Sequence, residues 1–326
     1  MALTDGRAAA RRGRAAAHRG WTTLKRRLAR LTLARRDLDR WAVVYLVASG
    51  LYPFLGTQPP AGPWLRLLLH AALALAIWYL PPLARRSRHA ALRLAGEVYL
   101  PFVFPLFYAE MEYLGLVFYD FQNSLDPSFI DLESKLFGFQ PSLAWARAWP
   151  WPWLHELLEF AYFSYYWIHL FVLVLLLRTR RLTPESRWPA VRAYVRDLSA
   201  TMLVCYSIYT FFPVWGPKYF QAGPVELSHG PFATIMHYIH ANGAILGAAF
   251  PSSHVAATLI PWWHAWKNAP GSRPWMTALL VLLATSTVYC RYHYVVDVLG
   301  GFLLGALILW LGDRYGERGT RRGDRD

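Results

Sequence analysis

The stretch from Tyr294 to Gly312, YVVDVLGGFLLGALILWLG, decides the architecture, because its nineteen residues carry a single charge, Asp297, near their start. An apolar run of about 18 residues or more can cross a bilayer as a helix, which satisfies its own backbone hydrogen bonds where no water is present. Working outward, the same pattern recurs at 41–56, 64–84, 97–119, 157–177, 193–213, 252–267 and 274–291. The first and sixth of the eight segments are short, which suits a tilted or partly re-entrant course. Composition agrees: 55% of residues are hydrophobic and only 17% charged, against about 25% charged in a soluble domain. The sequence therefore predicts an all-α, polytopic transmembrane helix bundle of about eight spans.

The formal charge of +14 invites a nucleic-acid reading, but the location of the charge excludes it. Basic residues occupy the N-terminal arm, the C-terminal tail and short links, and form no stripe among aromatics. With the arm in the cytoplasm and the spans alternating, Arg85, Arg86, Arg88 and Arg93 fall inside, as do Arg178, Arg180, Arg181, Arg187 and Arg192. Lys267, Arg273 and the tail arginines from Arg314 to Arg325 also fall inside, while the outer links hold only Lys135, Arg147, Lys218 and Arg291. That asymmetry is the positive-inside rule, and it sets both termini in the cytoplasm of a multi-pass protein of the plasma or inner membrane.

Residues 1–40 form a basic arm, nearly all Arg, Ala and Gly from Arg7 to Arg19 and weakly amphipathic from Trp21 to Arg40. Residues 41–312 form the transmembrane domain and 313–326 a basic tail. The outer segment 120–156 reads as an amphipathic helix at the interface, with Phe129, Ile130, Leu132, Leu136 and Phe137 beside Asp131, Glu133 and Lys135. Cys205 and Cys290 allow neither a disulfide framework nor a thiolate metal site, and they read as small core residues.

Three clusters share the outer face: Pro213-Val-Trp-Gly-Pro-Lys-Tyr219, Phe250-Pro-Ser-Ser-His254 and Arg291-Tyr-His-Tyr-Val-Val-Asp297. Each suits a phosphate ester. Ser252 and Ser253 open a helix, where unpaired N–H groups and hydroxyls meet an anion, and His254 lies in the same turn. His293 and Asp297 are four apart and so share a helix face. The carboxylate can hold one ring nitrogen and leave the other as a nucleophile. Lys218 and Arg291 supply positive charge for a phosphoryl transition state.

These motifs resemble those of the type 2 phosphatidic acid phosphatase superfamily. Pro251, Ser252 and His254 match its second motif, and His293 with Asp297 match the end of its third. The resemblance implies that His293 attacks phosphorus to form a phosphohistidine, Asp297 orients it and His254 protonates the leaving alkoxide. Ser252 and the Ser253 backbone would hold phosphate oxygens, with no metal and no cofactor. Two positions depart from the pattern. Thr287 stands where the third motif has an arginine, a charge that Arg291 could replace, and Lys218 stands alone where the first motif ends in Arg-Pro. The sequence Gly-Pro-Lys-Tyr, Phe-Pro-Ser-Ser-His and Arg-Tyr-His-Tyr-Val-Val-Asp-Val is closer to the branch with inositol phosphorylceramide synthase and sphingomyelin synthase. The implied activity is a lipid phosphatase or phosphotransferase acting on phospholipid-like esters. Water, ceramide, inositol or another alcohol is the acceptor, and the sequence does not choose among them, nor does it give the oligomeric state.

Other polar residues have plainer readings. Glu110 and Glu112, in the outer half of the third span, are candidates for binding substrate hydroxyls or for pairing with Arg66 or Arg291. Tyr219 is a candidate substrate contact at the outer mouth, and Glu156 and Glu159 stand near the outer end of the fourth span. His229, His237 and His240, near Glu226, read as interfacial polar residues rather than a metal site. His70, His169 and His264 read as satisfied core histidines. Gly300, Gly301 and Gly305 form a small-residue face for close helix packing. The rival class, a non-catalytic transporter or lipid-binding protein that recognises anionic head groups, would favour paired broken helices and inverted repeats, which the sequence lacks.

Overall fold

The computed structural model describes residues 37–56, 62–115, 117, 124–221, 229–243 and 245–323. The Arg-rich arm up to residue 36, Glu226 and the Glu112 side chain lie outside the described residues. Among the described residues all regular structure is helical, apart from one isolated parallel bridge between Val214 and Ala248.

The helices are α1 (Asp37–Leu51), α2 (Pro63–Arg85), α3 (Ala90–Val98), α4 (Leu100–Ala109), α5 (Met111–Gly115), α6 (Asp126–Phe137), α7 (Pro141–Ala148), α8 (Pro152–Phe163), α9 (Tyr165–Arg178), α10 (Pro184–Phe211), α11 (Pro217–Phe220), α12 (Pro231–Gly243), α13 (Ser253–Asn268), α14 (Arg273–Tyr289) and α15 (Val295–Gly323). Proline at the first helical positions recurs, as at Pro63, Pro152 and Pro184, where its missing N–H costs nothing.

Each of the eight apolar segments contains helix among its described residues, but fewer are long and apolar enough to cross a membrane alone. By length and composition Pro63–Arg85 and Val295–Arg314 qualify, and the bent pairs α3–α4 and α8–α9 bring the number to four if each is one span. The shortfall has a physical cause. α1, α13 and α14 have 15, 16 and 17 residues, and α10 carries buried Asp197 beside Arg196. Outward-facing Leu68, Leu69, Phe102, Leu106 and Leu303 form the apolar surface that a lipid environment requires. The chain is thus an all-helical protein with a membrane-associated surface.

α13 lies at the centre, packed by α9, α10, α14 and α15. Its approach to α15 is set by glycine. A Cβ on Gly301 would stand 2.6 Å from the Ser252 carbonyl oxygen, and one on Gly305 would stand 3.0 Å from that of Ala256. The small-residue face therefore packs within the chain, onto the first turns of α13. The 52° bend between α8 and α9 falls at Ser164, whose hydroxyl donates to the Ala161 carbonyl at 2.6 Å. It turns Tyr162 and Tyr165 toward one ring of α13, that of His254. At the other end of α13, His264 meets Asp197 at 2.9 Å. Near the start of α1, buried Asp39 takes both arms of Arg85 at 2.6 and 2.8 Å.

The glycine contact generates an expectation. Gly301→Val forces α15 off α13 and costs about 1–3 kcal/mol, the usual range for overpacking. Leu299→Val, on the outward face, where the side chain is 51% exposed, leaves stability near wild type. Thermal unfolding of the two variants in detergent measures the difference, and equal melting temperatures would contradict the packing argument.

Candidate active site

The site begins with the first turn of α13. Ser252 is its N-cap: the hydroxyl accepts from the Val255 N–H at 3.4 Å, and its own N–H donates to the Asp297 carbonyl at 2.9 Å. The Ser253 N–H donates to the Tyr209 hydroxyl at 3.1 Å, and that hydroxyl donates to the Pro251 carbonyl at 2.9 Å. The next side chain, His254, is packed between two tyrosines. Tyr162 stacks on it at 4.4 Å with 27° between planes, and Tyr165 lies at 4.2 Å.

The second side is the turn from α14 into α15. Arg291 adopts a φ of 65°, a left-handed conformation unusual for a long side chain. Two successive amides, of Tyr292 and His293, then donate back to the Thr287 carbonyl at 2.9 and 2.8 Å. The turn presents His293 to His254 with ring centroids 5.6 Å apart. Behind His293, Asp297 Oδ2 lies 3.4 Å from Nδ1, an ion-pair distance longer than a good hydrogen bond. The same oxygen accepts from the Tyr294 N–H at 2.8 Å, while the other, Oδ1, has no partner among the described residues. His293 and Asp297 are 3% and 0% exposed, so charge developing between these rings is little screened.

The third side is the loop after α10. The Lys218 N–H donates to the Arg291 carbonyl at 3.0 Å, and Lys218 Nζ stands 5.9 Å from the centre of the Tyr292 ring. Gly216, at φ 101°, lies so close that a Cβ would come within 2.7 Å of the Tyr292 carbonyl oxygen, which leaves no room for a side chain. Lys218 and Arg291 line one cavity together with Tyr292, Glu159, His155 and Cys290. The Arg291 guanidinium also donates to the Gln221 carbonyl. Thr287 is buried and its hydroxyl donates to the Ala284 carbonyl.

The structure thus brings His254, His293 and Asp297 together with Ser252 and Ser253 at the start of α13, whereas the Lys218 and Arg291 side chains line a cavity with Tyr292 whose walls do not include His254 or His293. Glu110 stands apart, holding Arg66 with both oxygens at 3.0 and 2.8 Å, one of the two pairings its sequence context suggested. Tyr219 is 43% exposed on α11. The Glu156 carboxylate accepts from the Phe232 and Ala233 N–H groups at the start of α12. His70 and His264 are satisfied, by the Arg66 carbonyl and by Asp197. His169 is not: neither ring nitrogen has a partner among the described residues, against the expectation of a satisfied core histidine. His240 packs on Tyr292 at 4.2 Å, and burial together with nearby Lys218 pushes its pKa down to about 3, so this ring is neutral.

Two buried carboxylates that frame the candidate site escaped sequence reasoning. Asp126 accepts from the N–H groups of Trp215 and Gly216 at 2.7 and 2.8 Å and from the Tyr294 hydroxyl at 3.0 Å. Glu133 accepts from the Val295 N–H at 2.5 Å and so caps α15, whose first turn carries Asp297. Both are fully buried. Helix α6 therefore fastens the first and third motifs to each other. Their spacing with Phe129, at i, i+3 and i+7, is the signal that marks one inward face.

A model for the PAP2 superfamily matches residues 128–311. A relative from Dictyostelium discoideum, a PA-phosphatase related-family protein, is 24% identical over 177 residues, covering 49% of this chain. The chain spans about a third, 32%, of that relative's length. No solved structure matches.

Burial, with a smaller contribution from Asp297, raises the Glu133 carboxyl from 4.5 to about 7, although the Val295 hydrogen bond opposes the shift. A carboxyl raised on folding gives stability that is fully present below the unfolded value and is lost as pH rises through the folded one. Glu133→Gln keeps an acceptor for Val295 and removes the titration. Its thermal stability is expected to fall less steeply than wild type between about pH 4.5 and about pH 7. Unfolding temperatures across that range check it, and parallel curves would remove Glu133 from this role.

Proposed function

Because this chain belongs to the PAP2 superfamily, we propose that it is a membrane lipid phosphatase or phosphotransferase working through a phosphohistidine on His293. The observation that carries the reading is the pair of imidazoles, His254 and His293, with ring centroids 5.6 Å apart and Asp297 behind the second.

In the first step His293 Nε2 attacks phosphorus and the bond from phosphorus to the leaving alkoxide breaks. Asp297 stabilises the imidazolium through its Nδ1 side, and His254 transfers a proton to the alkoxide. In the second step water or an alcohol attacks the phosphohistidine, His254 takes its proton, and His293 is released. Lys218 and Arg291 offset charge on the phosphoryl oxygens, and Ser252 and Ser253 place the N-terminus of α13 toward them. Resolution by water gives a phosphatase, and resolution by ceramide, inositol or another alcohol gives a transferase. The name of the Dictyostelium relative favours a lipid phosphate ester as donor, and exposed Tyr219 is proposed as a contact for it.

The arrangement in the membrane follows from charge. We take residues 41–312 as one catalytic domain of about eight spans, with the basic arm and tail in the cytoplasm and the histidine pair toward the outer leaflet. The arginine-rich links support this, and so does the common end of the bundle that the three motifs share.

His293→Ala is expected to abolish turnover of labelled phospholipid while the protein stays in membranes, and His254→Ala to slow it by roughly 10²- to 10⁴-fold. Acid-labile label on the wild-type chain should vanish in the His293 variant. Wild-type turnover in that variant would reject the mechanism. Free phosphate identifies hydrolysis, and a new labelled lipid on adding ceramide identifies transfer.

A further inference from the structure

The cavity beside the histidine pair holds donors that the proposed reaction does not use. His155 and Glu159 stand one turn apart on α8, and Cys290 closes the end of α14. One donor atom from each lies within 4.8 Å of the other two. His155 Nε2 and Glu159 Oε1 are 3.4 Å apart, longer than a normal N–H···O hydrogen bond of about 2.7–3.2 Å. It is, however, the separation of two ligands on one zinc ion, since metal–ligand distances of about 2.0–2.2 Å at a tetrahedral angle set donors about 3.3–3.5 Å apart. The Tyr292 hydroxyl donates to the Glu159 oxygens at 3.0 and 3.1 Å, the outer hydrogen bond that commonly orients a ligating carboxylate.

We propose that His155, Glu159 and Cys290 form a zinc site, with the fourth position open to the cavity that Lys218 and His237 also line. The mixture of imidazole, carboxylate and thiolate suits a borderline-soft ion and not magnesium or calcium. Charge is balanced, because the Glu159 carboxylate and a Cys290 thiolate together neutralise a dication, which offsets the repulsion from Lys218 and Arg291. On binding, the Cys290 S–H bond breaks, a Zn–S bond forms and the proton passes to solvent. Two cysteines alone give no thiolate site, but one cysteine joined to a helical His–Glu pair does. The ion would tie α8 to the turn that presents His293, so its role is to clamp that turn. The inference stands apart from the phosphohistidine reading and is measured without turnover.

The test uses the full-length chain purified in detergent, stripped with chelator and dialysed against zinc alone. Wild type is expected to retain one zinc per chain and to melt at a higher temperature with the ion than without it. Cys290→Ser and His155→Ala should lose both effects, and Tyr292→Phe should bind about tenfold more weakly. Cobalt in place of zinc should give a thiolate-to-metal charge-transfer band that survives Cys205→Ser and disappears in Cys290→Ser. The band reports ligation directly, so a variant that merely folds poorly is separated by its circular dichroism. No retained zinc, or equal retention in the Cys290 and His155 variants, overturns the site.

Discussion

One backbone hydrogen bond, from the Ser252 N–H to the Asp297 carbonyl at 2.9 Å, holds the second and third motifs in register, and the rest of the site depends on it. It can form only because Gly301 lets the first turn of α15 approach the Ser252 carbonyl. With that contact made, α13 and the turn before α15 set the His254 and His293 rings 5.6 Å apart between centroids, with Asp297 behind the second. The position of each imidazole then follows from helix packing, which a well-packed bundle resists changing. A long loop would leave the rings free to separate.

Helix α6 shows how such a site is kept in place when few charges can be spared. Buried carboxylates are costly unless their oxygens are satisfied. Asp126 meets that condition with two amides and a phenol, and Glu133 does so in part, through the start of α15. Both bind backbone N–H groups, so neither needs a cation as its partner. The carboxylates act on the frame of the site, through the loop before α11 and the turn before α15.

This also explains what was legible in the sequence. The helical segments were readable because apolar runs are local, and the three motifs because their spacing within a turn is local too. Asp131, Glu133 and Lys135 all read as polar residues of an amphipathic helix, yet only Asp131 and Lys135, four apart, form the exposed pair. Glu133 turns inward, since it shares its face with Phe129 and Asp126, and a helix that is amphipathic on average hides such an exception. The bend at Ser164 was equally invisible, because it depends on one hydroxyl returning to the carbonyl of Ala161. Without it the fourth apolar segment reads as one straight span, and the tyrosines around His254 have no cause. The number of spans is harder still to read from single segments. α13 and α14 are short and polar for lone crossings, but α13 is surrounded by helices, and a surrounded helix need not be apolar all round.

The turn at Arg291 joins these threads. A non-glycine residue at φ 65° carries strain of about 1–3 kcal/mol, which persists only when neighbours fix it. Here they do: the Thr287 carbonyl takes the amides of Tyr292 and His293, and the Arg291 carbonyl takes that of Lys218. Thr287 itself is buried in the last turns of α14 with its hydroxyl on Ala284, so a guanidinium there would have to displace packed side chains. Moving the charge four residues on, into the turn, sets the guanidinium in the same cavity as Lys218 and leaves α14 intact. The left-handed residue accompanies a cation and the His293 imidazole set two residues apart on a turn that must also start α15. Glycine would relax the backbone, but it would remove the charge for which, under the proposed mechanism, the strain is tolerated.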